Sequence, residues 1–129
     1  PIDLTRIETP AYIQAGREDH IAPAESVWRL TRHLRGPWTF LLAGSGHIAG
    51  VVNPPTAKKY QYWTNPGPVD SFSEFVAGAQ ETPGSWWPHW IDWLRGQDAA
   101  EVPAKGKRVP GSKGDSVIED APGRYVKTR

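Results

Sequence analysis

Asp19 and His47 are the residues of this chain whose types and placing point most directly to chemistry. Each closes a loop that follows a short apolar run: residues 11–15 lead into Gly16-Arg17-Glu18-Asp19-His20, and residues 38–42 into Ala43-Gly44-Ser45-Gly46-His47. A carboxylate that holds one imidazole nitrogen leaves the other to take a proton, so this pair could be the back half of a nucleophile–His–acid triad. Side chains at the carboxyl ends of parallel strands converge on one crevice, which is where such a pair would have to meet.

The elements needed to bring them there can be read around the two runs. Pro10 ends a lead-in segment, and a proline at the start of a strand removes no ladder hydrogen bond. Past the Asp19 loop, Pro23 suits a first helical position and Glu25 the positive end of a helix dipole. Val27, Leu30, Thr31 and Leu34 would share the inner face, with Arg29, Arg32 and Arg35 outside, until Gly36-Pro37 stops the helix. Strand, loop, helix and strand make one right-handed crossover unit with a parallel strand pair.

Beyond His47, Asn53-Pro54-Pro55 forces irregular backbone, and an aromatic-studded loop is expected over residues 58–68. Ser71 with Glu74 three positions on predicts a capping box, with Phe72, Phe75, Val76 and Ala79 on one helical face. Thr82-Pro83-Gly84 breaks that helix, and Ser85 caps a second over residues 86–94, with Gly96 past its end. Its Trp86, Trp90 and Trp93 form one stripe, and Trp87, Ile91 and Leu94 the neighbouring one. So apolar a circumference calls for cover, and the tryptophans are expected to be core. From Gln97 onward Ala, Pro, Gly and Lys dominate without a period. The division is therefore a compact portion, residues 1–96, and an extended tail, residues 97–129, expected to drape over a larger body through Val117, Ile118, Tyr125 and Val126.

Composition narrows the function classes. With 15 basic and 14 acidic residues the net charge is +1, so there is no electrostatic footprint for nucleic acid. No apolar run approaches the length of a membrane span, and no signal peptide is visible. With 0 cysteines, this chain holds no disulfide, no thiolate metal site and no thiol nucleophile. The four histidines lack metal-ligand spacing. The 129 residues contain 0 methionines and open at Pro1 almost directly into a strand pattern, so a piece of a longer protein is expected. Chain order agrees. In the α/β-hydrolase fold the order is nucleophile, acid, histidine; here the acid precedes the histidine, and the nucleophile would lie upstream.

A family resemblance rests on four stretches. Gly16-Arg17-Glu18-Asp19-His20-Ile21-Ala22-Pro23 is similar to the acid loop of the polyhydroxyalkanoate synthases. Gly44-Ser45-Gly46-His47-Ile48-Ala49-Gly50-Val51-Val52-Asn53-Pro54-Pro55 resembles their histidine loop, and Gly84-Ser85-Trp86-Trp87-Pro88 their late helix. Ala121-Pro122-Gly123-Arg124-Tyr125-Val126-Lys127 looks like the terminus of the short-chain, class I enzymes. The resemblance implies an α/β fold, the C-terminal portion of an α/β-hydrolase catalytic domain, that polymerises (R)-3-hydroxyacyl-CoA into polyester and releases CoA. It implies an upstream cysteine nucleophile, His47 as base, and Asp19 as the acid that orients it or activates the monomer hydroxyl. Implied partners are the hydroxyacyl-CoA, the growing polyester, the N-terminal remainder of the synthase and a second copy in a homodimer, in the cytoplasm at the surface of polyester granules. No cofactor is implied. An esterase or intracellular polyester depolymerase of the same fold, and a non-catalytic piece at a granule surface, are the competing readings.

Other residues weigh less. His20 adjoins Asp19, but neighbouring side chains in a loop diverge. Glu18 could replace Asp19 as the acid only with a longer arm. Ser45 lacks the spacing of a nucleophile elbow and follows the acid in chain order. His33 and His89 read as surface positions on helices. Lys105, Lys107 and Arg108 could pair with CoA phosphates, although a solvated tail is the simpler reading.

Overall fold

Ala11–Gly16 (β1) and Trp38–Ala43 (β2) pair in parallel, with Ala11 opposite Trp38 and Gly16 opposite Ala43. The structure, a computed structural model, describes residues 2–104, 111 and 114–128. Strand alternation divides the apolar side chains between two sheet faces. Ile13, Ala15, Phe40 and Leu42 enter the main core, while Tyr12, Gln14 and Leu41 point the other way.

Ala24–Trp28 (α1) links the strands, shorter than the pattern predicts, and Arg29–Arg32 continues it as a 3-10 turn. The Thr31 hydroxyl donates to Trp28 O (2.8 Å), where a longer α-helix would place its own amides. The predicted inner face also shifts. Leu30 is exposed, and Trp28 is the deepest residue of the segment, packed edge-on against Trp38 and Phe40 and beside Phe72 and Phe75. Such ring pairs add to plain area burial.

Residues 58–68, expected as loop, contain a strand, Gln61–Thr64 (β3), antiparallel to β2; Gln80–Pro83 (β4) pairs antiparallel with β3. Each is only four residues long, and β4 ends in Pro83, too short for a period to declare itself against its neighbours. The sheet order is β1-β2-β3-β4, so the domain is mixed α/β. Buried Asn53 closes the preceding loop by donating to Lys59 O (2.9 Å).

Phe72–Ala77 (α2) follows its cap as predicted. Ser71 Oγ accepts from Glu74 N (3.2 Å), and the Glu74 carboxylate reaches back to Asp70 N (2.9 Å). Phe75 is its buried residue, and Val76, placed on the inner face by spacing, is exposed. Trp87–Gln97 (α3) starts from Ser85, whose Oγ accepts from Trp87 N (3.1 Å), and runs through Gly96 to Gln97. It packs on the opposite sheet face from α1 and α2, over Tyr12 and Tyr62.

The expectation of a buried tryptophan helix is corrected. No residue of α3 is buried; Trp86, Trp87 and Trp93 are half-buried, and Trp90 is 38 % exposed. The sheet covers one side of the helix, and in this chain nothing in residues 2–99 covers its outer side. His89, expected at the surface, instead sits against Tyr12 and Tyr62.

The chain divides into two units, residues 1–99 and 100–129. The second has a single short element among its described residues, a 3-10 turn at Tyr125–Lys127, preceded by Glu119 accepting from Arg124 N (3.1 Å). Lys105, Lys107 and Arg108 lie outside the described residues. No helix among the described residues is long and apolar enough to cross a membrane.

Truncating Trp28 to Ala removes the centre of this aromatic core and should cost about 3–5 kcal/mol, much of a typical domain's net stability of about 5–15 kcal/mol. Trp90→Ala, at a half-open position, should cost distinctly less. Denaturant melts of the two variants check this, and equal losses would contradict the placing of the core.

Candidate active site

The ladder between β1 and β2 does not stop at the strand ends. Arg17 N donates to Ala43 O (2.8 Å) and Glu18 N to Ser45 O (3.1 Å), so the two loops are laced together at the carboxyl edge. Gly16 ends β1, and Asp19 N folds back to Gly16 O (3.3 Å). Ser45 takes a left-handed backbone conformation, φ 76°, which turns the histidine loop sharply just past β2. Its part is a turn residue in a tight loop.

Asp19 Oδ2 lies 2.8 Å from His47 Nδ1. The other carboxylate oxygen, Oδ1, accepts from Ile21 N and Ala22 N, each at 2.9 Å. These amide donors, the Ala22 N–H first and the His47 ring next, hold the Asp19 carboxyl below the usual carboxylate range. An ionised carboxylate only accepts, so Nδ1 carries the proton and donates to it. That tautomer leaves Nε2 with its lone pair, on a side chain 47 % exposed, while the Asp19 side chain is 8 % exposed. Chemically this is a held acid behind an accessible base.

The rival residues do not join the pair. His20 and Glu18 are exposed, and Glu18 contributes its backbone amide rather than its carboxylate. His33 is exposed on the far side of the crossover. His89 forms a separate polar cluster: the Tyr12 hydroxyl lies 2.8 Å from His89 Nδ1. Burial pushes the Tyr12 phenol up and the His89 imidazole down, which favours the uncharged form of both partners. Among the described residues, no three His, Asp or Glu side chains gather as a metal site would require.

Two features escaped the sequence pattern. The Arg17 guanidinium stacks 4.6 Å from the Trp63 ring centre, next to the acid loop. Trp86 Nε1 and Trp87 Nε1 donate to Gly50 O and Val51 O, each at 2.9 Å, tying the start of α3 to the histidine loop. Both depend on which ring faces which backbone, and neither leaves a periodic trace.

No family model matches the chain. The chain is 48% identical over 128 residues to the poly(3-hydroxyalkanoate) polymerase subunit PhaC of Rhizobium etli, covering 99% of this chain and 20% of that protein. The PhaC subunit of Cupriavidus necator is 44% identical over 132 residues, covering 100% of this chain and 22% of its own length. By sequence, this chain is similar over nearly its whole length to poly(3-hydroxyalkanoate) polymerases. A third polymerase of the family, from Methylorubrum extorquens, is 45% identical over 129 residues. The chain spans about a fifth of the length of the curated polymerases it matches.

The Asp19 geometry has a pH consequence. A carboxyl lowered from its ordinary value of 3.8 by folding stabilises the fold fully above that value and loses this contribution as pH falls through the lower, folded one. Asp19→Asn should therefore reduce resistance to urea at neutral pH, and the gap to the unsubstituted protein should close below about pH 4. A gap unchanged throughout an acidic pH series would contradict the bonding assigned to Asp19.

Proposed function

We propose that this chain is the C-terminal part of the catalytic domain of a polyhydroxyalkanoate synthase of α/β-hydrolase type, in which Asp19 and His47 serve as acid and base. The full protein would polymerise (R)-3-hydroxyacyl-CoA, working in the cytoplasm at the surface of polyester granules. The observation that carries the reading is the Asp19 Oδ2–His47 Nδ1 contact of 2.8 Å at the carboxyl ends of a parallel strand pair. With 0 cysteines here, and relatives about five times as long, the cysteine nucleophile comes from sequence outside this chain.

In this reading His47 Nε2 takes the proton of the cysteine thiol, and the thiolate sulfur bonds to the thioester carbonyl carbon. The tetrahedral intermediate collapses by breaking the bond to the CoA sulfur. The departing thiolate takes the proton back from His47, leaving acyl-enzyme and free CoA. An incoming hydroxyl then gives its proton to the same base as its oxygen bonds to the acyl carbonyl carbon. The bond to the cysteine sulfur breaks, the leaving cysteine thiolate takes the proton back from His47, and the polyester grows by one unit. The engagement of both Asp19 oxygens, by two amides and the His47 ring, supports an orienting role over direct activation of the monomer hydroxyl.

His47→Gln in the full-length synthase should abolish acylation by hydroxyacyl-CoA, read as a burst of CoA thiol release. Asp19→Asn should lower acylation and elongation by similar factors, since an orienting carboxylate serves both steps. A His47→Gln enzyme polymerising near the parental rate would exclude His47 as the base, and loss confined to elongation would restore the hydroxyl-activating role. The 129-residue chain alone should release no CoA in steady turnover; sustained release would mean a nucleophile lies within it.

A further inference from the structure

The Gly84-Ser85-Trp86-Trp87-Pro88 motif has a local explanation residue by residue, except for its two indole N–H groups. Gly84, at φ 96°, takes the turn out of β4 that a side chain would strain, and its N–H donates to Tyr60 O (2.8 Å). Ser85, one residue before the N-cap Trp86, accepts from Trp87 N at the start of α3, and Pro88 occupies the first turn, where a missing N–H costs nothing. Trp86 lies beside Tyr12 with near-parallel rings, a contact that needs an aromatic ring but no N–H.

The indole N–H groups meet the turn that carries the imidazole. Within it Gly50 N donates to Gly46 O (3.0 Å), and Val51 N and Val52 N donate to Ile48 O (3.1 and 2.8 Å). A Cβ on Gly50 would stand 2.7 Å from Gly44 O and 2.9 Å from Gly46 O, so this backbone is packed onto itself with no slack. On one side the turn is laced to the acid loop through Ser45 O; on the other, Trp86 and Trp87 hold Gly50 O and Val51 O.

We infer that Trp86 and Trp87 are positioning residues for His47: their indole N–H groups clamp consecutive carbonyls of the 46–52 turn and so fix the imidazole against Asp19. The inference rests on the reading of His47 as the base. Neither indole touches the reacting atoms. Losing the clamp lets the turn shift, and small misplacements of a catalytic group cost rate steeply.

The test uses the full-length synthase with Trp86→Phe and Trp87→Phe together, which keeps two aromatic rings and removes both donors. Trp93→Phe, further along α3 where the ring lies on Tyr12, is the control. The first readout is the NMR signal of the His47 ring proton held by Asp19, which the double variant should broaden or lose and the control should keep. The second is single-turnover acylation, whose limiting rate should fall about tenfold or more with the half-saturating substrate concentration little changed. Should the double variant fold poorly, benzothienylalanine at positions 86 and 87 keeps the shape of Trp without an N–H, and the same losses are expected. An unchanged His47 ring signal in the folded double or benzothienyl variant overturns the clamp, whatever the rate. A lost signal with undiminished acylation upholds the clamp and overturns His47 as the base, so the two readings fail separately.

Discussion

The continuation of the β1–β2 ladder past the ends of its strands is the constraint on which the candidate site depends. Asp19 and His47 are 28 positions apart, so the two loops that carry them need a link that holds one against the other. The parallel register puts Gly16 opposite Ala43, and two further amides, Arg17 N and Glu18 N, reach across to Ala43 O and Ser45 O. The acid is then seated by the amides of Ile21 and Ala22 at the approach to α1. Its charge is held where the imidazole arrives, and the ring tautomer follows from that charge.

Around this edge the sheet is packed differently on its two faces. Under α1 and α2 the contacts are those of an ordinary aromatic core, with Trp28, Phe40 and Phe75 almost wholly enclosed. Under α3 they are amphipathic: rings of Trp86, His89 and Trp93 lie on Tyr12, and the Trp86 N–H is spent on Gly50 O. Half-buried tryptophans suit that task, since an indole can bury its ring edge while its N–H reaches a carbonyl. The two faces thus do separate work, one supplying stability and the other fixing the loop above it.

What could be read in the sequence was whatever repeats or is local. β1 and β2 show as compact apolar runs, the Ser71–Glu74 cap as a fixed spacing, and Asp19 and His47 as polar residues at matching strand ends. β3 and β4 were missed because each is four residues long and is stabilised by pairing with a distant partner. The tryptophan helix was read too simply, as core, because helical spacing reports that a face is apolar but not how much of it finds cover. Trp28 was passed over in favour of Leu30 because an ideal helix was assumed where the chain tightens to a 3-10 turn. The acid–base pair needs only topology, whereas the Trp86 and Trp87 contacts need the orientation of individual rings.

A crystal structure of the full-length synthase, with its cysteine acylated by a slow substrate analogue, measures the central claim most directly. The account predicts that the cysteine sulfur lies within about 3–3.5 Å of His47 Nε2, with Nδ1 still on Asp19. A cysteine facing His20, or one remote from both histidines, would contradict it.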